Sequence, residues 1–152
     1  MGATERDGEE QVVVLELAGE AYGVEIERVQ EIIRMQSITR VPNGPAGVEG
    51  VTNLRGRVIP VLDLRQRFGL AQTPPTRQSR IVVAELGEHA VGLVVDGVSE
   101  VLRVPTDAVE PPSALVTGAD SLYLRGVAKI DERLVLLLDL ARLLSDHEAL
   151  AA

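Results

Sequence analysis

A chain of 152 residues with 45% apolar and 25% charged side chains is long enough for one sizeable core, or for two small ones sharing a surface. Fifteen basic against 23 acidic residues leave a formal charge of -8, which argues against affinity drawn from nucleic-acid phosphates or anionic lipid, and the absence of cysteine removes disulfides and thiolate metal sites. Aromatic residues make up only 2%, so the core must be built from Val, Leu, Ile and Ala, a composition that favours β-structure.

Residues 1–10 are polar and acidic and read as a disordered tail. They lack the basic and then apolar design of a signal peptide, and no apolar run reaches the roughly 18 to 20 residues of a membrane span, so a cytoplasmic protein without direct membrane insertion is expected. Val12 to Leu17 and Tyr22 to Ile26 are short apolar strands separated by Ala18-Gly19-Glu20. Glu27 to Met35 is ambiguous: Val29, Ile32 and Ile33 fit a helical stripe, while the length favours a turn of helix followed by a strand.

Gly50 to Leu64 joins a turn, a strand and a helix start. Arg55-Gly56 sits between two apolar runs, Val51 to Leu54 and Val58 to Leu62, the pattern of a hairpin whose glycine supplies a positive φ. Asp63 then precedes Leu64-Arg65-Gln66-Arg67-Phe68-Gly69, where an Asp N-cap and a Gly C-cap bracket a short helix. A polar linker, Gln72 to Ser79 with Pro74-Pro75, follows. Beyond it Ile81 to Leu86 and Val91 to Val95 repeat the opening plan around Gly87-Glu88-His89.

The repetition holds residue by residue. A shift of 69 carries Leu17 to Leu86, Gly23 to Gly92, Val29 to Val98, Glu31 to Glu100 and Arg34 to Arg103; a shift of 76 carries Gly50 to Gly126, Arg57 to Arg133, Asp63 to Asp139 and Leu64 to Leu140. The seven extra residues, the difference between the two shifts, belong in Pro105 to Ser121. The chain is therefore two copies of one all-β unit, each with about five short strands and a closing helix, a count that suits a pair of small barrels.

No seat for catalysis is visible. Asp63 and Asp139 are related by the repeat, as the two aspartates of an acid protease would be, but each leads into a helical pattern and reads as a cap. His89 and His147 stand near no nucleophile motif and are too few for most metal sites, and no phosphate loop or metal-ligand spacing occurs, so no cofactor is expected. Arg55 is the charge of interest. The second copy has Asp131 at its place, and Arg57 beside it makes an Arg-Gly-Arg tip able to dock on an acidic helical surface.

Tyr22-Gly23-Val24, Val29-Gln30-Glu31-Ile32, Thr39-Arg40-Val41-Pro42, Gly50-Val51-Thr52-Asn53-Leu54-Arg55-Gly56 with Ile59-Pro60-Val61-Leu62-Asp63-Leu64, and Val94 to Val101 stand in order along the chain. With these motifs the stretch from Val12 to about Leu144 resembles the CheW family of chemotaxis coupling proteins. The resemblance implies an all-β fold of two intertwined SH3-like five-stranded β-barrels with short helices, from an internal duplication. One domain over 11–146, with copies at about 11–70 and 80–145, would lie between tails at 1–10 and 147–152.

It also implies a non-enzymatic adaptor, held at membrane receptor arrays through its partners. Those partners would be the cytoplasmic tip of a chemoreceptor and the regulatory domain of the histidine kinase CheA, in pseudo-symmetric contacts. Arg55 matches the family's receptor-binding arginine, with Asn53, Leu54, Gly56 and Arg57 around it; Val29, Glu31, Ile32 and Gly50 match kinase or partner contacts. The alternative is a CheW-like regulator of a kinase in another pathway, such as pili-based motility, without a standard chemoreceptor. The acidic tail and the Pro74-Pro75 linker are not family hallmarks.

Overall fold

Two strands of the sequence are apolar on both faces, and the architecture follows from them. In β1 (Glu9–Leu17), Val12 and Val14 face one core while Val13, Leu15 and Leu17 face another. In β7 (Arg80–Leu86) the repeat-related Ile81 and Val83 face a third core, while Val82 and Ala84 face the one that Val13 and Leu15 enter. A strand buried on both sides reads as a continuous apolar run rather than an alternation. Each of these strands is a wall between a small interior of its own and a core shared by the whole molecule. The computed structural model describes residues 8–40, 48–112 and 123–145.

The remaining elements are β2 (Glu20–Glu25), a 3-10 turn at Ile26–Arg28, β3 (Val29–Arg34), β4 (Thr39–Arg40), β5 (Val48–Leu54), β6 (Arg57–Asp63), α1 (Leu64–Arg67), β8 (His89–Val95), β9 (Gly97–Pro105), a second 3-10 turn at Thr106–Ala108, β10 (Val109–Glu110), β11 (Leu124–Ile130), β12 (Arg133–Leu138) and α2 (Leu140–Ser145). The turn followed by a strand is the outcome favoured for Glu27 to Met35.

Among the described residues twelve strands make two six-stranded sheets, ordered β10-β11-β12-β2-β1-β9 and β3-β7-β8-β6-β5-β4. Each copy lends a hairpin to the other. β1 and β2 of the first copy lie between β9 and β12 of the second, and β7 and β8 of the second lie between β3 and β6 of the first. Both insertions use the same parallel join, Leu137 beside Gly23 and Val61 beside Gly92, which are repeat-related pairs. At the first join the glycine allows the approach, since a Cβ on Gly23 would come within 2.9 Å of Leu137 Cδ2; at the second, a Cβ on Gly92 would instead crowd Ile81 Cγ2 of the adjacent β7 at 2.8 Å.

The fold is thus all-β, duplicated and intertwined, as expected, with six strands to a sheet where five to a barrel were counted. The sixth is a two-residue strand, β4 or β10. Among the described residues no ladder closes either sheet; in the sheet that begins with β3, side chains tie the segment after β3 to β5, where Gln36 Nε2 donates to Thr52 Oγ1 at 2.8 Å and to the Asn53 carbonyl at 2.7 Å, and Thr52 Oγ1 donates to the Ser37 carbonyl at 2.8 Å. Bulges fall at matching places too. Gln30 and Ser99 are the extra residues opposite β7 and β1, and Glu49 and Arg125 those opposite β6 and β12.

The chain's only three aromatic residues, Tyr22, Phe68 and Tyr123, stack in the shared core with ring centroids 5.5 and 5.9 Å apart. Leu64 and Leu140, at the starts of α1 and α2, are buried beside them. Glu9 and Glu10 belong to β1 rather than to the expected tail. Glu10 is buried because it meets the guanidinium of Arg125. Residues 1–7, 147–152 and most of the Pro105 to Ser121 insertion lie outside the described residues. No helix among the described residues is long and apolar enough to cross a membrane.

Candidate functional site

The β5–β6 hairpin turns through Arg55 and Gly56, with φ of 53° and 84°. Both central residues are therefore left-handed, the requirement of a two-residue turn that matches strand twist, and the arginine shares the positive φ expected of the glycine alone. Asn53 Oδ1 accepts a hydrogen bond from the Gly56 amide at 2.7 Å, which fixes the tip from within. The equivalent turn in the second copy is Asp131-Glu132, also left-handed at 48° and 70° without any glycine.

The tip does not stand alone in solvent. Arg55 Nη1 and Nη2 donate to Glu31 Oε2 and Oε1 at 2.6 and 2.5 Å, a two-pronged grip on the edge strand β3. The Arg55 side chain stays 69% exposed while that of Glu31 is 22% exposed, so the acid is the seated member and the arginine the presented one. Each partner favours the charged form of the other. The hydrogen bond from Arg55 holds the Glu31 carboxyl below its ordinary range, and the same bond raises Arg55 above its own.

The expected residues lie on β3 and on the β5–β6 hairpin, with different duties. Asn53, Arg55, Gly56 and Arg57 are exposed along the hairpin, and Ile32 is an exposed apolar side chain on β3. Leu54 points inward instead, packed with Ile59, Ile81 and Val83, because alternation along β5 gives it the core face. Val29 is half-buried against the shared core. Gly50 is buried where β4 crosses β5, and a Cβ there would lie 2.2 Å from the Thr39 carbonyl oxygen, so its duty is to let the two backbones meet. Leu54 and Gly50 are buried rather than offering surface.

Sequence reasoning missed a second set of exposed apolar side chains. Val58 on β6 and Val101 and Leu134 on β9 and β12 are at least half exposed. The repeat relates Val101 to Ile32 and Leu134 to Val58, and the shift that exposed the duplication would have paired them. It also pairs the acids. Glu100, the counterpart of Glu31, accepts from Arg133 at 2.8 Å, the counterpart of Arg57 rather than of Arg55. The second copy thus keeps an ion pair but moves its cation off the hairpin tip.

The two aspartates do capping work. Asp63 Oδ1 accepts from the Arg65 and Gln66 amides at 2.9 and 3.4 Å, and Asp139 Oδ1 from the Arg142 amide at 3.0 Å. Arg65 in turn grips Asp96 at 2.8 and 2.7 Å, while Asp96 also accepts from the Ala18 amide, so α1 is clamped to the turn between β1 and β2. Among the described residues no group of acids or histidines is placed to hold a metal ion.

Against known proteins, residues 11–148 match the family model described as "CheW-like domain". A protein of Klebsiella aerogenes named "Chemotaxis protein CheW" is 36% identical over 139 residues, covering 91% of this chain and 84% of that one. A "Probable chemotaxis protein CheW" of Rhizobium etli is 34% identical over 145 residues, 95% of this chain and 94% of that one. Among solved structures, the scaffolding protein TtCheW of Thermoanaerobacter tengcongensis superposes with a TM-score of 0.78 at 38% identity, over 84% of this chain and 87% of that one.

Proposed function

The chain belongs to the CheW-like family and is a chemotaxis adaptor, and from that premise we propose that it couples the cytoplasmic tip of a chemoreceptor to the regulatory domain of a CheA-type histidine kinase. It acts in the cytoplasm, without chemistry of its own, and reaches the membrane only through the receptor. The single domain spans about 11–146.

The observation that carries the reading is the Arg55–Glu31 pair. It holds an exposed arginine at a fixed place on the hairpin tip, seated on the edge strand whose other face exposes Ile32, a cationic anchor of the kind that grips a helical hairpin. Asn53, Gly56 and Arg57 complete the receptor side of that surface, and Val29 and Gly50, on β3 and β5, belong to the partner contacts. Val29, Glu31 and Ile32 on β3 bring the kinase contact within reach of the same edge.

Titrating labelled protein with a receptor cytoplasmic fragment and, separately, with the kinase regulatory domain tests the coupling. Both bind the wild type, and Arg55→Glu weakens the receptor contact by about thirtyfold or more while leaving most of the kinase contact in place. Equal receptor affinity for wild type and variant returns Arg55 to an ordinary turn residue.

A further inference from the structure

Arg34 closes β3, and Arg80 opens β7 directly across from it, so two arginines stand opposite each other in the ladder. Like charges in that position oppose pairing unless something neutralises them. Arg77, in the linker ahead of β7, adds a third cation, and the three line a groove of about 470 Å³ with Met35, Thr76 and Ser79. Arg80 Nη1 donates to the carbonyls of Arg77 and Ser79 at 2.7 and 2.8 Å, which orients the guanidinium but leaves its charge uncompensated. Among the described residues none of the three arginines pairs with a carboxylate. This occurs in a chain of net charge -8.

The duplication supplies an internal comparison. The shift of 69 takes Arg34 to Arg103, and takes Glu9-Glu10-Gln11 to Gln78-Ser79-Arg80. In the second copy's sheet Arg103 pairs with Glu9 at 3.5 Å and Glu10 holds Arg125. In the first copy's sheet both acids are gone, and an arginine replaces the glutamine. One backbone arrangement is neutral at one end of the molecule and bare and positive at the other.

We propose that Arg34, Arg77 and Arg80 form an electrostatic docking patch for a carboxylate-rich surface of a protein partner. Ile32, two residues before Arg34 on the same strand, is also exposed and gives that partner an apolar contact beside the charges. A protein is favoured over an extended polyanion because three clustered cations act within a Debye length, whereas the net charge of -8 repels a long line of phosphates. The patch lies past the Arg55–Glu31 pair on β3 and does not depend on which partner that pair meets.

The test follows backbone amide shifts of the full chain titrated with poly-L-glutamate at about 20 mM and about 300 mM salt. Shifts are expected at residues 34–35 and 76–80, quenched by salt and at least about fivefold weaker in the variant Arg34→Glu/Arg77→Glu. Both substituted side chains are exposed, and unchanged shifts elsewhere verify the fold. No shifts, shifts equal at the Arg103 end, or larger shifts with a short DNA duplex overturn the patch. In a second arm the affinity of the kinase regulatory domain or the receptor fragment falls about tenfold in the same variant and converges with wild type at high salt. Equal affinity for both partners overturns the docking role, whereas failure of the wild type to bind either one counts against the adaptor reading and leaves the poly-L-glutamate result to decide the patch.

Discussion

Arg55 reaches Glu31 across 24 residues of chain and holds both oxygens of its carboxylate, so the hairpin tip and the edge strand β3 form a single surface. Residues assigned by resemblance to two different partners are thereby in direct contact. A change on either side of the pair must alter what both partners meet.

A charge exchange separates the two duties of this pair. Arg55→Glu places two carboxylates face to face and frees the tip, and Glu31→Arg in the same chain restores an ion pair of opposite polarity. The double variant should recover the wild-type melting temperature without recovering receptor affinity, because the presented group is now an acid. If receptor binding returns along with the melt, the pair merely props the hairpin and the arginine is not itself read.

The same pair fixes a pH dependence. Arg55's hydrogen bond lowers the Glu31 pKa, so the interaction is complete above the ordinary carboxylate range and is lost as pH falls through the lowered value. Receptor affinity should therefore be flat through neutral pH as far as this pair is concerned. Carbon-detected titration of the Glu31 carboxyl should give a midpoint below the usual value of about 4.3, returning toward it in Arg55→Ala. An unshifted midpoint in the wild type would remove the interaction in solution.

Much of the fold was legible because local chemistry agreed with it. Asp63, Gly69 and the Arg55-Gly56 turn are short-range signals and landed where the sequence put them. The hairpin exchange was not legible, since the pairing of Val61 with Gly92 joins strands far apart in sequence and only the repeat hints that the joins come in twos. Glu9 and Glu10 misled for a related reason. Their acidity reads as solvation until Arg103 and Arg125 arrive from the other half of the chain. Leu54 reads in the sequence as part of the surface motif around Arg55, whereas the alternation along β5 turns its side chain inward.

The caps should behave as caps. Asp63→Ala removes two amide contacts from a buried position and should cost about 2 kcal/mol, while Asp139→Ala, with one contact and more solvent, should cost about 1 kcal/mol. Denaturant unfolding measures both, and partner affinities measured alongside should stay near wild type. A large loss of binding with stability intact would give these aspartates another role.

Because β7 and β8 sit inside the first copy's sheet, neither copy can complete its core alone. Fragments divided at Pro74 should be unfolded apart and should regain the strand signature in circular dichroism when mixed. Each would otherwise expose the parallel edges at Val61 and Leu137, which the partner hairpins cover. Two fragments that fold independently would contradict the exchange.

Glu49 is a charged bulge residue that lacks the ion pair of its repeat counterpart. Its counterpart Arg125 is matched by Glu10, whereas the Oε1 atom of Glu49 is enclosed without a hydrogen-bond partner. Desolvation is the main reason its pKa is raised, with Asp63 on β6 adding to the rise and Arg40 on β4 opposing it; Arg65 of α1 and Asp96 before β9 line the same pocket. A raised carboxyl pKa means that the folded state holds the proton more tightly than the unfolded one. The resulting stability is full below the unfolded value and is lost as pH rises through the folded one, so at neutral pH the fold carries a charge it disfavours. Glu49→Gln should then stabilise the protein by about half a kcal/mol near pH 7, a figure kept small because much of the side chain still meets water. Near pH 4 the wild-type carboxyl is largely protonated, and the two unfolding curves should converge. A variant less stable than wild type at neutral pH would mean that the charged form of Glu49 has a partner in solution after all.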